Sequence, residues 1–298
     1  MSIGVIGAGK WGSALHFALS HKQHCSITSR TKRERKDFIS LEEMLEKKYL
    51  IIAIPAQSVA QWLEEYFTYS GQKILVASKG IEASSGRFLN EIYAKYIPDE
   101  NIAFLSGPSF AVEVMQELPT ALVINSKNET LAKEFSSFFP DFIKTYTSSD
   151  VVGAEIAGAY KNVIAIAAGI CEGLGLGKNA LASLTARGLV EMHRFGKHYG
   201  ADDESFLGLS GAGDLFLTAS STMSRNFRVG LGLAKGKNKE EIIKELGEVA
   251  EGIGTAYALE RIAQTQKLYL PIAKEVVEML EGKNPQESLK QLLSSKRG

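Results

Sequence analysis

Cysteine is scarce in this chain: only Cys25 and Cys171 occur among 298 residues. Both lie in apolar runs outside any metal-ligand arrangement, which excludes a disulfide framework and a Cys/His metal site. Net charge is lacking as well. The 34 basic residues match 34 acidic ones, so nothing draws the chain as a whole toward nucleic acid or an anionic membrane. Low-complexity tracts and internal repeats are missing. The opening MSIGVIGAG enters a strand directly, without the basic and apolar regions of a signal peptide. A reduced, cytoplasmic setting without a metal is the expectation.

Long hydrophobic runs are also rare, and the one present dominates the chain. Residues 151–171, VVGAEIAGAYKNVIAIAAGIC, are long enough to span a bilayer. Glu155, Lys161 and Asn162 inside the run argue against a membrane span, because charges at mid-span are costly in lipid. A buried helix is expected instead. On it Ala154, Gly158, Lys161, Ala165 and Ala168 form one stripe that is nearly bare apart from the lysine. Two readings of Lys161 stand side by side: a structural ion pair at a tight helix crossing, or a general acid/base lysine whose charged form burial disfavours.

With 45% hydrophobic residues the chain can bury a large core, and its length suggests two domains. The first is expected over 1–149. Ser2–Ile6 reads as a buried strand followed by Gly7-Ala8-Gly9-Lys10-Trp11-Gly12 and a helix. G-x-G-x-x-G between strand and helix is the dinucleotide-binding pattern: a tight turn, close approach to a pyrophosphate, and close helix packing. The helix N-terminus adds amides and a positive dipole end. After the second strand, Cys25–Thr28, the chain gives Ser29-Arg30-Thr31-Lys32-Arg33 where an NAD site usually places a carboxylate for the ribose. That favours NADP over NAD, with a solvated charged turn as the other account of Arg30, Lys32 and Arg33.

Strands at Leu50–Ile54, Lys73–Ala77 and Ile102–Leu105 alternate with helices at Ala56–Phe67 and Ser85–Tyr96. Strands at Thr120–Asn125 and Phe142–Tyr146 flank a helix at Glu129–Phe138. This rhythm predicts a mostly parallel, doubly wound Rossmann-like sheet with ligands at the carboxyl ends of its strands. Lys79 follows one strand and Gly107–Ala111 the next, either as ligand contacts or as a surface lysine and an ordinary helix start with Ser109 near its cap. From residue 150 onward the strand signal disappears, and an all-α domain over 150–298 is expected. Within it Gly208–Gly213 is a glycine-rich turn into a helix that starts at Asp214, which either caps that helix or pairs with Lys161 or a substrate hydroxyl. Ser224, Arg225 and Asn226 offer a hydroxyl, a charged fork and an amide suited to a phosphate monoester. Val249-Ala250-Glu251-Gly252 is a polar break that either reaches the cofactor or is solvated.

The motifs GAGKWGSAL at 7–15, SKG at 78–80, GPSFAVEV at 107–114, EIAGAYKNVIAIAAGI at 155–170, GLSGAGDLFLT at 208–218, SRN at 224–226 and VAEG at 249–252 carry a resemblance along nearly the full length. On them the chain resembles the bacterial NAD(P)-dependent glycerol-3-phosphate dehydrogenases. The resemblance implies reversible reduction of dihydroxyacetone phosphate to sn-glycerol 3-phosphate, feeding glycerophospholipid synthesis, in a cytoplasmic homodimer. It implies that Lys161 exchanges the proton at the substrate C2 oxygen, that Lys79 contacts substrate near the cofactor, and that Asp214 orients a substrate hydroxyl. Gly107, Ser109, Asn162, Thr218, Ser224, Arg225 and Asn226 complete the implied substrate site. The implied cofactor contacts are Gly7, Gly9, Lys10, Trp11, Gly12, Arg30, Arg33, Lys79, Ala111, Arg225, Val249 and Glu251.

The chain departs from that pattern between the second and third strands, where the connection is short and a family tyrosine or phenylalanine near the cofactor has no counterpart. Lys10 stands where a small residue is common and Tyr160 where a leucine is. The sequence also admits two other readings. A 3-hydroxyacid dehydrogenase of similar architecture would bind a carboxylate where the cluster at 224–226 suggests phosphate. A non-catalytic NADP-responsive protein would have no use for a lysine on a bare stripe.

Overall fold

A computed structural model describes residues 2–294. Two compact units divide the chain. One holds the residues up to Lys79 together with Leu89–Glu155, and the other holds Gly80–Phe88 and the chain from Ile156 onward. This division falls inside the long helix at 151–173, and it assigns a short earlier segment to the second unit.

The first unit is built on seven strands: β1 (Ile3–Ile6), β2 (Cys25–Thr28), β3 (Tyr49–Ile52), β4 (Lys73–Val76), β5 (Ile102–Ser106), β6 (Thr120–Asn125) and β7 (Ile143–Ser148). Their order is β2-β1-β3-β4-β5-β6-β7. The short apolar runs form strands buried on both faces, the usual condition of a parallel sheet covered by helices. Alternation sorts their side chains with a period of two. Ile3, Val5, Tyr49, Ile51, Leu75, Ala103 and Leu105 join the core on one face, with Leu15, Ala18, Leu131 and Phe135 of helices α1 (Lys10–Leu19) and α6 (Glu129–Ser136). Ile6, Leu50, Ile52, Ile74, Val76 and Phe104 join the other, with Leu63 and Ile92 of α3 (Val59–Tyr66) and α4 (Leu89–Tyr93). Each fully buried aliphatic side chain contributes about 1.5–3 kcal/mol. Two smaller helices, α2 (Leu41–Leu45) and α5 (Ala111–Val114), complete this unit.

Because β2 and β3 flank β1 on opposite sides, the chain leaves β1 at the switch point where the sheet opens a crevice beyond its strand ends. The glycine motif occupies that point. The sheet is parallel through β5, but β6 runs antiparallel to β5 and carries β7 with it. The helix expected over Ser85–Tyr96 is confined to Leu89–Tyr93. Ahead of it Gly86 takes φ +75°, Ile81 and Phe88 form an antiparallel bridge, and the Glu82 carboxylate draws in the Ser85 hydroxyl and the Arg87 guanidinium. Side chains that bond the local turn compete with helix formation there.

Among its described residues the second unit is helical apart from that bridge: α7 (Val151–Gly173), α8 (Gly177–His198), α9 (Asp203–Leu207), α10 (Asp214–Ala219), α11 (Arg225–Ala234), α12 (Lys239–Leu246), α13 (Glu251–Gln266), α14 (Pro271–Leu280) and α15 (Pro285–Ser294). Among the described residues, α7 is the one helix long and apolar enough to cross a membrane, and 94% of its apolar window is buried in the fold. It is apolar all round because it packs all round. Tyr160 and Ile164 meet α8, where the Tyr160 hydroxyl donates to Glu191 at 2.8 Å and a Cβ on Gly188 would lie 2.7 Å from Ile164. A second face crosses α11 so closely that a Cβ on Gly230 would lie 2.0 Å from the Ile166 carbonyl oxygen, and one on Gly169 2.0 Å from that of Phe227. The tightest crossing is therefore on the Ile166–Gly169 face, beside the Ala154–Ala168 stripe singled out from the sequence. That stripe holds Lys161 toward α10.

Candidate active site

Lys161 sits midway along α7 and is 7% exposed. Its Nζ donates to Asp214 Oδ1 at 2.6 Å and to Thr218 Oγ1 at 2.9 Å. Asp214 and Thr218 are one turn apart on α10, so both face α7 together. The turn before α10, Leu209–Gly213, is π-helical and packs against α9; a Cβ on Gly211 would lie 2.3 Å from the Phe206 carbonyl oxygen. This wide turn delivers Asp214 to the lysine. Gly213 holds the cap position of α10, which decides between the two readings of Asp214 in favour of pairing with Lys161. Burial alone disfavours an ammonium, and the adjacent carboxylate offsets that cost.

The next residue on α7, Asn162, opens a chain of amides. Asn226 Nδ2 donates to Asn162 Oδ1 at 2.9 Å, and the Gly252 N–H donates to Asn226 Oδ1 at 2.9 Å. Asn162 Nδ2 in turn reaches the Gly158 carbonyl at 3.3 Å. The three elements α7, α11 and α13 are thereby tied at one level. Ser224 caps α11, its Oγ accepting from the Phe227 N–H at 3.2 Å. Arg225 follows the cap and pairs through Nη1 with Glu248 Oε2 at 3.2 Å. Val249 is 52% exposed and Glu251 begins α13. Sequence reasoning missed Glu248 and Gly252 as members of this cluster. Gly252 had a signal, being a glycine in the first turn of a helix; Glu248 had none beyond its closeness to Glu251.

In the sheet unit the three motif glycines behave differently. Gly7 has φ +111°, and a Cβ there would lie 2.4 Å from the Ala53 carbonyl oxygen of the neighbouring strand end. A Cβ on Gly12 would lie 1.8 Å from the Gly7 carbonyl oxygen, so α1 packs directly on the turn. Gly9 alone has open space within 4 Å of its missing side chain. Two positions are thus closed by protein and the third is open to a ligand, the division that a pyrophosphate over the turn requires. Lys10 and Trp11 open α1, with Trp11 packed partly on the core. Arg30 and Arg33 are exposed in the loop after β2.

Lys79 donates through Nζ to the Gly107 carbonyl at 3.0 Å, which joins the segments after β4 and β5. Gly107 has φ +105°, and a Cβ there would press on the Ala121 carbonyl oxygen at 3.0 Å. Ser109 does not cap the helix that follows. Its Oγ donates to the Gly107 carbonyl at 3.3 Å, and Phe110 holds the cap position of α5, which Ala111 begins.

Family models agree with this arrangement in both parts of the chain. Residues 36–132 match the N-terminal part of NAD-dependent glycerol-3-phosphate dehydrogenase, and residues 150–290 match its C-terminal part. A glycerol-3-phosphate dehydrogenase [NAD(P)+] of Sulfurimonas denitrificans is 72% identical over 98% of this chain and 99% of its own length. The protein of the same name from Nitratiruptor sp. is 60% identical over 98% of each. The crystal structure of glycerol-3-phosphate dehydrogenase from Coxiella burnetii superposes with a TM-score of 0.89 at 30% identity, covering 98% of both chains. By sequence and by fold, the chain belongs to the NAD-dependent glycerol-3-phosphate dehydrogenase family.

Proposed function

We propose that this chain reversibly reduces dihydroxyacetone phosphate to sn-glycerol 3-phosphate with NADPH or NADH, in the cytoplasm, as a homodimer that supplies glycerophospholipid synthesis. The observation that carries the reading is the fixed, buried ammonium of Lys161, held by Asp214 and Thr218 on one helix. A cofactor fits the residues of the glycine turn, with Gly9 open where a pyrophosphate would approach and the helix N-terminus behind it. Bound there, the nicotinamide supplies the hydride. Arg30 and Arg33 favour the 2'-phosphorylated form.

Lys161 gives its proton to the carbonyl oxygen in reduction and takes it back in oxidation, while Asp214 and Thr218 fix its direction and Asp214 steadies its charge. Lys79 adds positive potential where that oxygen gains charge. Arg225 and Asn226 hold the substrate phosphate, and Ser224, already an acceptor for the Phe227 amide, contributes its O–H. Binding the phosphate, which does not react, positions the carbonyl that does.

Lys161→Ala tests the reading directly. NADPH binding followed by fluorescence should persist, while turnover falls by about 10²–10⁴-fold, the usual contribution of a general acid. Turnover within a few-fold of the unsubstituted enzyme would remove Lys161 from the chemistry.

A further inference from the structure

The short connection between β2 and α2 is tied down at its ends and at one interior point. At its far end the Ile27 N–H donates to the Asp37 carbonyl at 2.9 Å, the Ile39 N–H to the Ile27 carbonyl at 3.1 Å, and Thr28 Oγ1 to the Ile39 carbonyl at 2.9 Å. Residues 37–39 thus lie along β2 and leave Ser29–Lys36 as a closed loop. Its interior tie is Arg35, whose Nη2 donates to His16 Nδ1 at 3.0 Å and whose Nη1 approaches Ser13 Oγ at 3.4 Å. Both partners lie on α1, the helix that rises from the glycine turn.

A guanidinium can only donate, so His16 Nδ1 must accept. The ring proton is then on Nε2, where it donates to the Cys25 carbonyl of β2 at 3.0 Å. His16 is 3% exposed, and burial, followed by the charge of Arg35, holds its titration below the ordinary value; the neutral ring is the form that accepts. One imidazole therefore joins α1, β2 and the loop. The loop's other cations are differently placed: the side chains of Arg30, Lys32, Arg33 and Lys36 are exposed and make no hydrogen bond or ion pair to any described residue.

We propose that the His16–Arg35 contact determines the preference for the 2'-phosphorylated cofactor, by folding the loop back on α1 so that Arg30, Lys32 and Arg33 flank the ribose end of β2. Arg35 is a positioning residue here, its guanidinium being engaged by α1. The inference rests on the NADP-favouring reading of the cofactor site. Its physical basis is preorganisation: three long cationic side chains on a floating loop lose more freedom on binding a phosphate than three on a loop already fixed.

The test is the ratio of kcat/KM with NADPH to kcat/KM with NADH, at fixed dihydroxyacetone phosphate, for the unsubstituted enzyme, His16→Leu, His16→Gln and Arg35→Met. His16→Leu removes the acceptor without removing a charge, and Arg35→Met changes an exposed side chain that leaves the core intact. Both should lower the ratio by roughly tenfold, the loss of one charge-assisted hydrogen bond. The change should appear in KM for NADPH, with kcat and KM for NADH unmoved, and His16→Gln, which still offers an acceptor, should retain most of the ratio. A ratio unchanged in His16→Leu or Arg35→Met, in an enzyme that prefers NADPH, would overturn the proposal. An unsubstituted enzyme that prefers NADH would overturn the cofactor reading beneath it.

Discussion

Lys161 Nζ stands 2.6 Å from Asp214 Oδ1, with both side chains buried and the two residues 53 positions apart in the chain. The ion pair that the sequence offered for Lys161 is present, and an acid/base role is compatible with it. The ion pair is the means by which the lysine is held at a defined place in an apolar helix. Burying two charges is costly, and their attraction offsets that cost only when both are present.

Removing one partner should therefore be worse for stability than removing both. Asp214→Ala is expected to destabilise the protein by about 3–5 kcal/mol, because it leaves a buried ammonium uncompensated. Lys161→Met combined with Asp214→Leu should recover much of that loss while remaining inactive. Chemical denaturation of the three proteins checks the order. Equal losses for the single and double variants would show that the pair contributes packing alone.

A second ionisable group gives stability a pH dependence. Glu155 accepts from the Asn90 N–H at 2.9 Å in the first turn of α4, but its Oε2 is buried without a partner. Burial pushes its carboxyl from 4.5 up to about 8. Between those values the unfolded chain has released the proton and the folded chain keeps it, so stability falls as pH rises through that window and levels off above it. The slope for one such group is at most about 1.4 kcal/mol per pH unit. Scanning calorimetry should show Tm decreasing from about pH 5 to pH 8, and Glu155→Gln should flatten the profile. A Glu155→Gln profile parallel to that of the unsubstituted protein would assign the slope elsewhere.

Gly252 gives a third expectation. In an ordinary helix Gly→Ala stabilises by about 1 kcal/mol. Here the added Cβ would lie 2.7 Å from Asn226 Oδ1 and 2.8 Å from the Asn162 carbonyl oxygen. Gly252→Ala should push Asn226 out of its bond to the Gly252 amide and raise KM for the phosphorylated substrate by roughly tenfold or more, one lost charge-assisted contact. A lowered or unchanged KM with a raised Tm would show that α13 yields freely.

The fold was legible where local pattern and tertiary structure agree. Strands of continuous apolar residues read as a covered sheet, and glycines between strand and helix read as a nucleotide turn. Two elements resisted. The reversal of β6 and β7 depends on strand pairing far apart in sequence, which no local period encodes. The helix expected at Ser85–Tyr96 fails because Glu82 bonds Ser85 and Arg87 around Gly86, a competition visible only once the side chains are placed. At the site, residue types with strong chemistry stood out, as Lys161, Asp214 and Arg225 did. Partners whose importance lies in contact did not: Glu248 pairs with Arg225 from 23 residues away, and His16 joins Arg35 across a loop.

The central claim is that the chain reduces a phosphorylated ketone with a nicotinamide cofactor, and the initial rate of NADPH oxidation at about 340 nm, the absorbance of the reduced nicotinamide, tests it most directly. Dihydroxyacetone phosphate should give rapid oxidation, while unphosphorylated dihydroxyacetone at the same concentration should give very little, since binding of the non-reacting phosphate is what positions the carbonyl. Equal rates with the two ketones, or none with either while NADPH still binds, would contradict the account.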